Sequence, residues 1–204
     1  MKIKQILISI VASSAIFGGI LAVTPTATIT NQVSAAVTKA KVQPNAQPKS
    51  VMLPANWWGP SESVPYPNVA QHPKMWIHVS LAKQRVYLMD GGKTLYTMYA
   101  STGLPKRGWG ATPKGTFFIQ RERGKSFSEG SGRGRISAYN FVSFKDHGVY
   151  LFHSVPVDYR GHVLPFPAGA QGKYPSSHGC IHLSLADSKW FFQNIRYNTM
   201  VIIN

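Results

Sequence analysis

Residues Met75–Tyr99 read MWIHVSLAKQRVYLMDGGKTLYTMY, and this stretch gives the strongest indication of fold class in the chain. Apolar and polar side chains alternate through its first seven residues, which is the period of a strand with one buried face. A glycine turn at Asp90–Gly92 separates the two apolar runs that follow. The stretch therefore predicts three strands in hairpin order.

Short apolar runs continue downstream and predict further strands, the first of them entered through a turn. They lie at Thr112–Ile119, Asn140–Phe144, Val149–His153 and Thr199–Ile203. A helix is expected after Cys180, because Ser184 is a suitable N-cap and Asp187 is an acidic residue three positions later, facing the exposed amides. Its apolar face is expected to comprise Leu185, Phe192 and Ile195. We therefore predict a mostly β (α+β) domain, a β-sandwich or barrel-like fold.

Two segments between these runs lack a strand or helix pattern. Residues 121–135 are rich in Gly, Ser, Arg and Lys. This composition predicts a mobile basic loop that can fold over a cleft. Residues 158–172 are also predicted to form a loop.

The first residues of the chain have the composition of an export signal. Met1–Lys4 is basic and Ile6–Val23 is apolar. We predict a signal peptide over residues 1–36. Because the apolar run is long enough to span a bilayer, an uncleaved membrane anchor is the alternative.

The remaining chain divides into three predicted parts. Residues 37–50 carry no aromatic side chain and are predicted to be a flexible linker. Residues 51–73 form an aromatic and proline-rich extended segment, which we expect to dock on the domain that follows. In this segment Trp57 and Trp58 could either pack or contact wall glycan. A single folded domain is predicted over residues 74–204.

The charge balance restricts the expected partners. The chain has 22 Lys and Arg against 7 Asp and Glu, a formal net charge of +15. In an exported protein this charge favours anionic cell-wall polymers, and we expect no nucleic acid partner. Contact with a membrane is expected only through an uncleaved N-terminal segment, and the protein is expected to be a monomer.

The only cysteine in the sequence lies in SHGCIH, residues Ser177–His182. A lone exported cysteine cannot form an internal disulfide, so Cys180 is either buried and inert or reactive. Thiolate is the attacking form, and amides around Gly179 and Cys180 could bind a developing oxyanion. A metal site is a further alternative, because His178, Cys180 and His182 would share one face of a strand. We expect neither a metal nor a cofactor.

Four histidines are candidates for the base that takes the proton from Cys180: His153, His162, His178 and His182. His153 is preferred because it ends an apolar strand and is therefore held in place. The carbonyl of Ser154 could accept a hydrogen bond from its second ring nitrogen and so select the tautomer.

Five short motifs together resemble the L,D-transpeptidase (YkuD-type) catalytic domain. They are SHGC at Ser177–Cys180, FHSVP at Phe152–Pro156, AQG at Ala170–Gly172, STG at Ser101–Gly103 and TPKGTF at Thr112–Phe117. The resemblance covers about Met75 to Asn204 and implies a YkuD-like fold, with residues 74–204 as the catalytic domain.

The resemblance also implies a reaction on peptidoglycan stem peptides. Cys180 would attack the carbonyl of the diamino acid at the third position of a tetrapeptide, release D-alanine and form a thioester. The amine of a second stem would then form a 3→3 cross-link. His153 would carry the proton and His178 would shape the site. Amides near Gly179 and Cys180 would stabilise the oxyanion, and Ser154 is expected to belong to the same catalytic site.

Two features depart from the family pattern. The spacing that is usual between the base and the motif serine is met by His162, so His162 is the alternative base. His182 occupies a position where the family commonly has Arg or Asn, and a neutral imidazole cannot hold a carboxylate as a guanidinium does. Lys173, Arg160 or the basic loop could supply that charge. Substrate contacts are expected from Ser177, His182, Lys173 and Tyr174.

Two other functions remain open from the sequence. Water could resolve the same thioester, which would make the protein an L,D-carboxypeptidase. A non-catalytic wall-binding module with a buried Cys180 is the second. The choice between amine and water depends on the shape of the cleft.

Overall fold

A computed structural model describes residues 51–105 and 110–204. The predicted signal peptide and linker lie outside these residues. The described strands are β1 Trp76–Ser80, β2 Arg85–Asp90, β3 Lys93–Tyr99, β4 Gly115–Phe118, β5 Arg123–Glu129, β6 Ile136–Lys145, β7 Tyr150–Ser154, β8 Ile181–Leu183 and β9 Met200–Ile203. The helices are α1 Pro165–Ala170 and α2 Leu185–Asn194, with short 3-10 turns at Val69–Gln71 and Gly132–Gly134. Within the described ranges, neither helix is long and apolar enough to cross a membrane.

The strands form two sheets. One has five strands in the order β3-β2-β1-β9-β4, and the other has four in the order β5-β6-β7-β8. The predicted hairpin order of β1, β2 and β3 is confirmed, because each pairs antiparallel with the next. The predictions of a mostly β fold and of a helix after Cys180 are also confirmed.

One apolar core joins the two sheets and α2. From the first sheet, Ile77 and Val79 are fully buried, while Trp76 and His78 between them are partly exposed. This is the alternation that the sequence predicted for β1. From the other side, Phe152 of β7 and Phe191 of α2 belong to the same core, with ring centroids 4.5 Å apart. The core therefore fixes β7 and α2, which flank the candidate site in sequence.

Helix α2 begins as predicted but buries a different face. The Ser184 hydroxyl accepts a hydrogen bond from the Asp187 amide at 3.1 Å, which is an N-cap. Phe191 and Ile195 are buried, whereas Leu185 is exposed at the first turn. The prediction that Leu185 belongs to the apolar face was wrong, because the helix packs on β6 and β7 and its buried residues are Asp187, Ser188 and Phe191.

Residues 51–66 pack against the first turn of α2. The Trp57 and Trp58 carbonyls accept hydrogen bonds from the first two amides of the helix, at 2.8 and 3.1 Å. The Ser61 and Tyr66 hydroxyls donate to the buried carboxylate of Asp187, at 2.5 and 2.7 Å. The Asp187 carboxylate therefore binds residues 51–66 to the first turn of α2. Since α2 directly follows β8, these contacts support the strand that carries His182.

The predicted basic loop at residues 121–135 instead contains the strand β5, Arg123–Glu129. β5 pairs antiparallel with β6, and its Gly, Ser and Lys positions need only their backbone groups for that pairing. Phe127 is its one large apolar side chain and packs edge-on against Phe141 of β6 at 5.7 Å. Composition predicted a loop because an edge strand with one apolar anchor lacks a clear alternating pattern. The short helix α1 was also missed within the predicted loop 158–172.

Candidate active site

Cys180 lies one residue before β8, and β8 runs parallel to β7, which carries His153. In this register His153 is the direct neighbour of His182. Cys180, His153 and His182 all line one cavity of about 220 Å³. The parallel pairing of two short strands therefore brings the cysteine and the predicted base to the same cavity from positions 27 residues apart in sequence.

The loop before Cys180 requires glycine at position 179 and is held by hydrogen bonds. Gly179 has φ +125°, and a Cβ atom there would lie 2.8 Å from the Tyr150 ring. Its carbonyl accepts a hydrogen bond from Thr112 Oγ1 at 2.8 Å. The Thr112 oxygen in turn accepts one from the Gly103 amide at 2.8 Å. Gly103 and Thr112 thus fix the conformation of the cysteine loop.

Ser177 holds the same loop from within. Its hydroxyl donates to the Cys180 carbonyl at 2.6 Å and accepts from the Gly179 amide at 3.1 Å. The side chain lines the cavity, but its hydrogen bonds are to the loop. The Gly179 amide is therefore engaged in this conformation, which leaves the Cys180 amide as the better candidate for binding an oxyanion.

His153 is buried and has a defined tautomer. Its Nδ1 lies 2.7 Å from the Ser154 carbonyl oxygen. Because a carbonyl oxygen can only accept, Nδ1 carries the hydrogen and Nε2 carries the lone pair. Burial lowers the pKa of His153 to about 4, so the ring is neutral at pH 7. The Ser154 side chain itself bonds to the Tyr139 amide and the Val155 carbonyl. Ser154 therefore contributes its carbonyl to the site.

The Cys180 thiol is also neutral at rest. Burial raises its pKa to about 11, while a hydrogen bond from the Leu151 backbone lowers it and the negative charge of Glu129 raises it. The thiol donates weakly to the Val149 carbonyl at 3.5 Å. No cation among these neighbours lowers its pKa, so the site holds a thiol and an imidazole rather than an ion pair. Thiolate is then a minor form before a substrate arrives.

We expect this neutral thiol to be visible in its alkylation by iodoacetamide. Since thiolate is the reacting form, the rate should rise about tenfold per pH unit between pH 7 and pH 10 without a plateau. N-acetylcysteine, with a pKa near the reference of about 8.5, should level off within that range. Stopped-flow or mass-resolved alkylation of the protein gives the profile. A plateau below pH 8 would show an activated thiolate and contradict the neutral pair.

His162, the alternative base, lies elsewhere. Its side chain is 72% exposed and pairs with Asp158 at 3.4 Å on the loop after β7. It lines neither cavity beside Cys180. The structure thus brings His153, and not His162, to the cysteine.

His182 is a buried, neutral neighbour of His153, with ring centroids 4.8 Å apart. Its pKa lies well below 6.5 because of burial, with smaller effects of His153 and His178. A neutral ring supplies no positive charge for a carboxylate. The buried ring of His182 therefore does not replace the Arg that the family commonly has at this position.

The tautomer of His182 follows from counting hydrogens. Ser101 Oγ donates its one hydrogen to the Tyr174 carbonyl at 2.8 Å. Ser176 Oγ, 2.7 Å from Ser101 Oγ, must then donate to it. His182 Nδ1 lies 3.4 Å from Ser176 Oγ and must be the donor there, which leaves Nε2 with a lone pair. His182 thus offers the cavity a hydrogen-bond acceptor.

A second and larger cavity, of about 820 Å³, opens on the same cysteine. The two cavities share four wall residues: Phe127, Glu129, His178 and Cys180. His178 and Cys180 were predicted from the sequence, whereas Phe127 and Glu129, which lie on β5, were not. The lone phenylalanine within residues 121–135 was the available signal. Cys180 therefore lines both the smaller and the larger cavity.

Three other expected substrate contacts are absent from this lining. Lys173 is exposed, and neither it nor Tyr174 nor Arg160 lines either cavity. Tyr174 packs against Phe166 instead, with ring centroids 5.9 Å apart. Ser101, Ser176 and Thr112 were given no role from the sequence, although Ser101 and Thr112 lie in its quoted motifs. Their role is to support the loop and His182.

The metal alternative finds no support in the described part of the chain. Residues 51–105 and 110–204 contain no group of three or more His, Cys, Asp or Glu side chains placed to hold a metal ion.

Comparison with known proteins adds independent information. The family model described as L,D-transpeptidase catalytic domain, YkuD, matches residues 74–203. The chain is 41% identical over 157 residues to YciB of Bacillus subtilis (strain 168), a protein that carries an L,D-transpeptidase name. That match covers 76% of this chain and 78% of YciB.

Solved structures share the fold at lower identity. An L,D-transpeptidase from Mycobacterium smegmatis is 22% identical with a TM-score of 0.51, over 64% of this chain and 58% of that one. One from Mycobacterium tuberculosis H37Rv is 23% identical with a TM-score of 0.51, over 64% and 57%. The chain therefore spans less than two thirds of the length of these structures.

Proposed function

Because the chain belongs to the YkuD family of L,D-transpeptidase catalytic domains, we propose that it forms 3→3 cross-links between peptidoglycan stem peptides through a Cys180 thioester. The observation that carries this proposal is the position of Cys180. It shares one cavity with the lone pair of His153 and lies on the wall of a second cavity. The cavity shared by Cys180 and His153 suits acyl transfer, and the second cavity provides room for another peptide.

The first half of the reaction acylates Cys180. The sulfur attacks the carbonyl carbon of the third residue of a tetrapeptide stem, and the thiol proton passes to His153 Nε2. Since the thiol pKa is about 11 and that of His153 about 4, this proton moves as the sulfur attacks rather than beforehand. The Cys180 amide stabilises the oxyanion. His153 then protonates the departing nitrogen, D-alanine leaves, and a thioester remains.

The second half transfers the acyl group to another stem. The side-chain amine of the acceptor attacks the thioester carbonyl, the C–N bond forms and the C–S bond breaks. His153 takes a proton from the amine and returns one to the sulfur, so the site ends as it began. The larger cavity favours an amine over water as the acceptor, because a second peptide can fill it and displace solvent near Cys180.

The proposal includes export and a cell-wall location, on the basis of residues 1–36 of the sequence. Peptidoglycan stem peptides are the substrates, and anionic wall polymers are partners suited to a formal charge of +15.

The test is to incubate the protein with a tetrapeptide donor and a mass-labelled tripeptide acceptor and to identify the products by mass spectrometry. We expect a donor–acceptor dimer together with free D-alanine, and neither with Cys180→Ala. Tripeptide and D-alanine without dimer would identify a carboxypeptidase. No reaction, with wall binding retained, would identify a binding module. Either of these results would contradict the proposal.

A further inference from the structure

The two cavities beside Cys180 have a charge opposite to that of the whole chain. The sequence has 22 basic against 7 acidic residues. Yet among the residues that the structure describes, no lysine or arginine lines either cavity. Two of the seven acidic residues do: Glu129 lines both cavities, and Glu122 lines the larger. The described walls are therefore suited to a cation or a hydrogen-bond donor and not to an anion.

Glu129 has the position and the availability that a recognition residue needs. It is the last residue of β5 and pairs in register with Ile136 of β6, so the hairpin fixes its backbone. Its carboxylate enters no ion pair within residues 51–105 and 110–204, whereas that of Glu122 is bonded to His147 at 2.9 Å. Glu129 is also close enough to Cys180 for its charge to act on the thiol.

The neutral ring of His182, which can accept a hydrogen bond at Nε2, leads to the same conclusion for the smaller cavity. Its Nε2 lone pair can accept from an N–H group but cannot donate to a carboxylate. Glu129 and His182 lie on different elements, β5 and β8, and both line this cavity. Two side chains from different strands therefore both favour a ligand group that donates a hydrogen bond.

We propose that Glu129 determines specificity for the acceptor stem by binding its side-chain ammonium group, an inference that rests on the function proposed above. The acceptor nitrogen must come within about 3 to 3.5 Å of the thioester carbonyl on Cys180. A carboxylate beside Cys180 holds the ammonium where it is needed. The ammonium loses one proton to solvent, and the neutral amine attacks. The C–N bond forms, the C–S bond breaks, and the second amine proton passes through His153 Nε2 to the sulfur.

Binding measurements on the Cys180→Ala chain test this recognition without turnover. The probes are the tripeptide L-Ala-γ-D-Glu-L-Lys and the same peptide acetylated on its side-chain amine, measured by titration calorimetry. We expect the free amine to bind about tenfold more tightly than the acetylated form, as for a hydrogen bond to a charged group. Adding Glu129→Gln should reduce this ratio to about one. Asp146→Asn, which removes an exposed charge of the same sign, should preserve the ratio.

Two results would overturn the proposal: no preference for the free amine in the Cys180→Ala chain, or a preference that survives Glu129→Gln. Acylation of the unmodified protein by a tetrapeptide, measured separately, reports on the proposed function. If that acylation occurs while the amine preference is independent of Glu129, the acyltransferase stands and the specificity assignment fails. If acylation fails while the preference depends on Glu129, amine recognition stands and the reaction is wrong.

Discussion

Replacing His153 with alanine is expected to slow acylation of Cys180 by a tetrapeptide about 10²- to 10⁴-fold, the usual contribution of a positioned base. The reason is that His153 Nε2 carries the lone pair, since Nδ1 donates to the Ser154 carbonyl at 2.7 Å. With a thiol pKa of about 11, little thiolate exists near neutral pH without such a base. The measurement is the rate of adduct formation by quenched-flow mass spectrometry.

His162→Ala is the matched control, because His162 is exposed and paired with Asp158 outside both cavities. It should react at the rate of the unmodified protein. Thermal unfolding of both variants shows whether the loss reflects the base or the fold. A His153→Ala protein that is folded and fully active, or an inactive His162→Ala protein, would reverse the assignment.

Replacing Gly103 with alanine is expected to have the second largest effect, on both stability and activity. A Cβ atom there would lie 2.0 Å from the Gly110 carbonyl oxygen, 2.6 Å from the Thr112 amide nitrogen and 2.7 Å from Gly179 Cα. All three are backbone atoms, so the chain itself must move. We expect the free energy of unfolding to fall by about 3 kcal/mol, at the upper end of overpacking costs. The rate of acylation should fall about 10²-fold, because the Cys180 loop shifts with Gly179.

Gly92→Ala serves as the comparison, since a Cβ atom there meets nothing within 4 Å. Chemical denaturation and acylation rates of the two variants measure the difference. A Gly103→Ala protein as stable and as active as Gly92→Ala would show that the contact of Gly103 and Thr112 with the cysteine loop is not needed.

Much of the fold was predictable because burial leaves a local pattern. The alternation in β1 and the turn at Asp90–Gly92 are visible in the sequence and place three strands correctly. The Ser184 cap likewise identified the start of α2. In each of these cases a few neighbouring residues contain the whole signal.

The parts that were missed depend on contacts between distant residues. β5 is stabilised by pairing with β6, and its own Gly- and Ser-rich composition gives no sign of this. The neutral state of His182 comes from burial against His153, and no motif records burial. The charge of the cavity walls is also a property of the assembled fold, since Glu129 and Cys180 are 51 positions apart. The motifs therefore identified the candidate nucleophile and the candidate base but not the residues around them.

The most direct test of the acyltransferase is the intact mass of the protein after rapid mixing with a tetrapeptide stem in the absence of an acceptor. The account predicts a mass increase equal to the stem less D-alanine. Peptide mapping should locate it on Cys180, hydroxylamine should remove it as it does a thioester, and Cys180→Ala should abolish it. An adduct that survives in Cys180→Ala, or a Cys180 that stays unmodified while the stem loses D-alanine, would contradict the account.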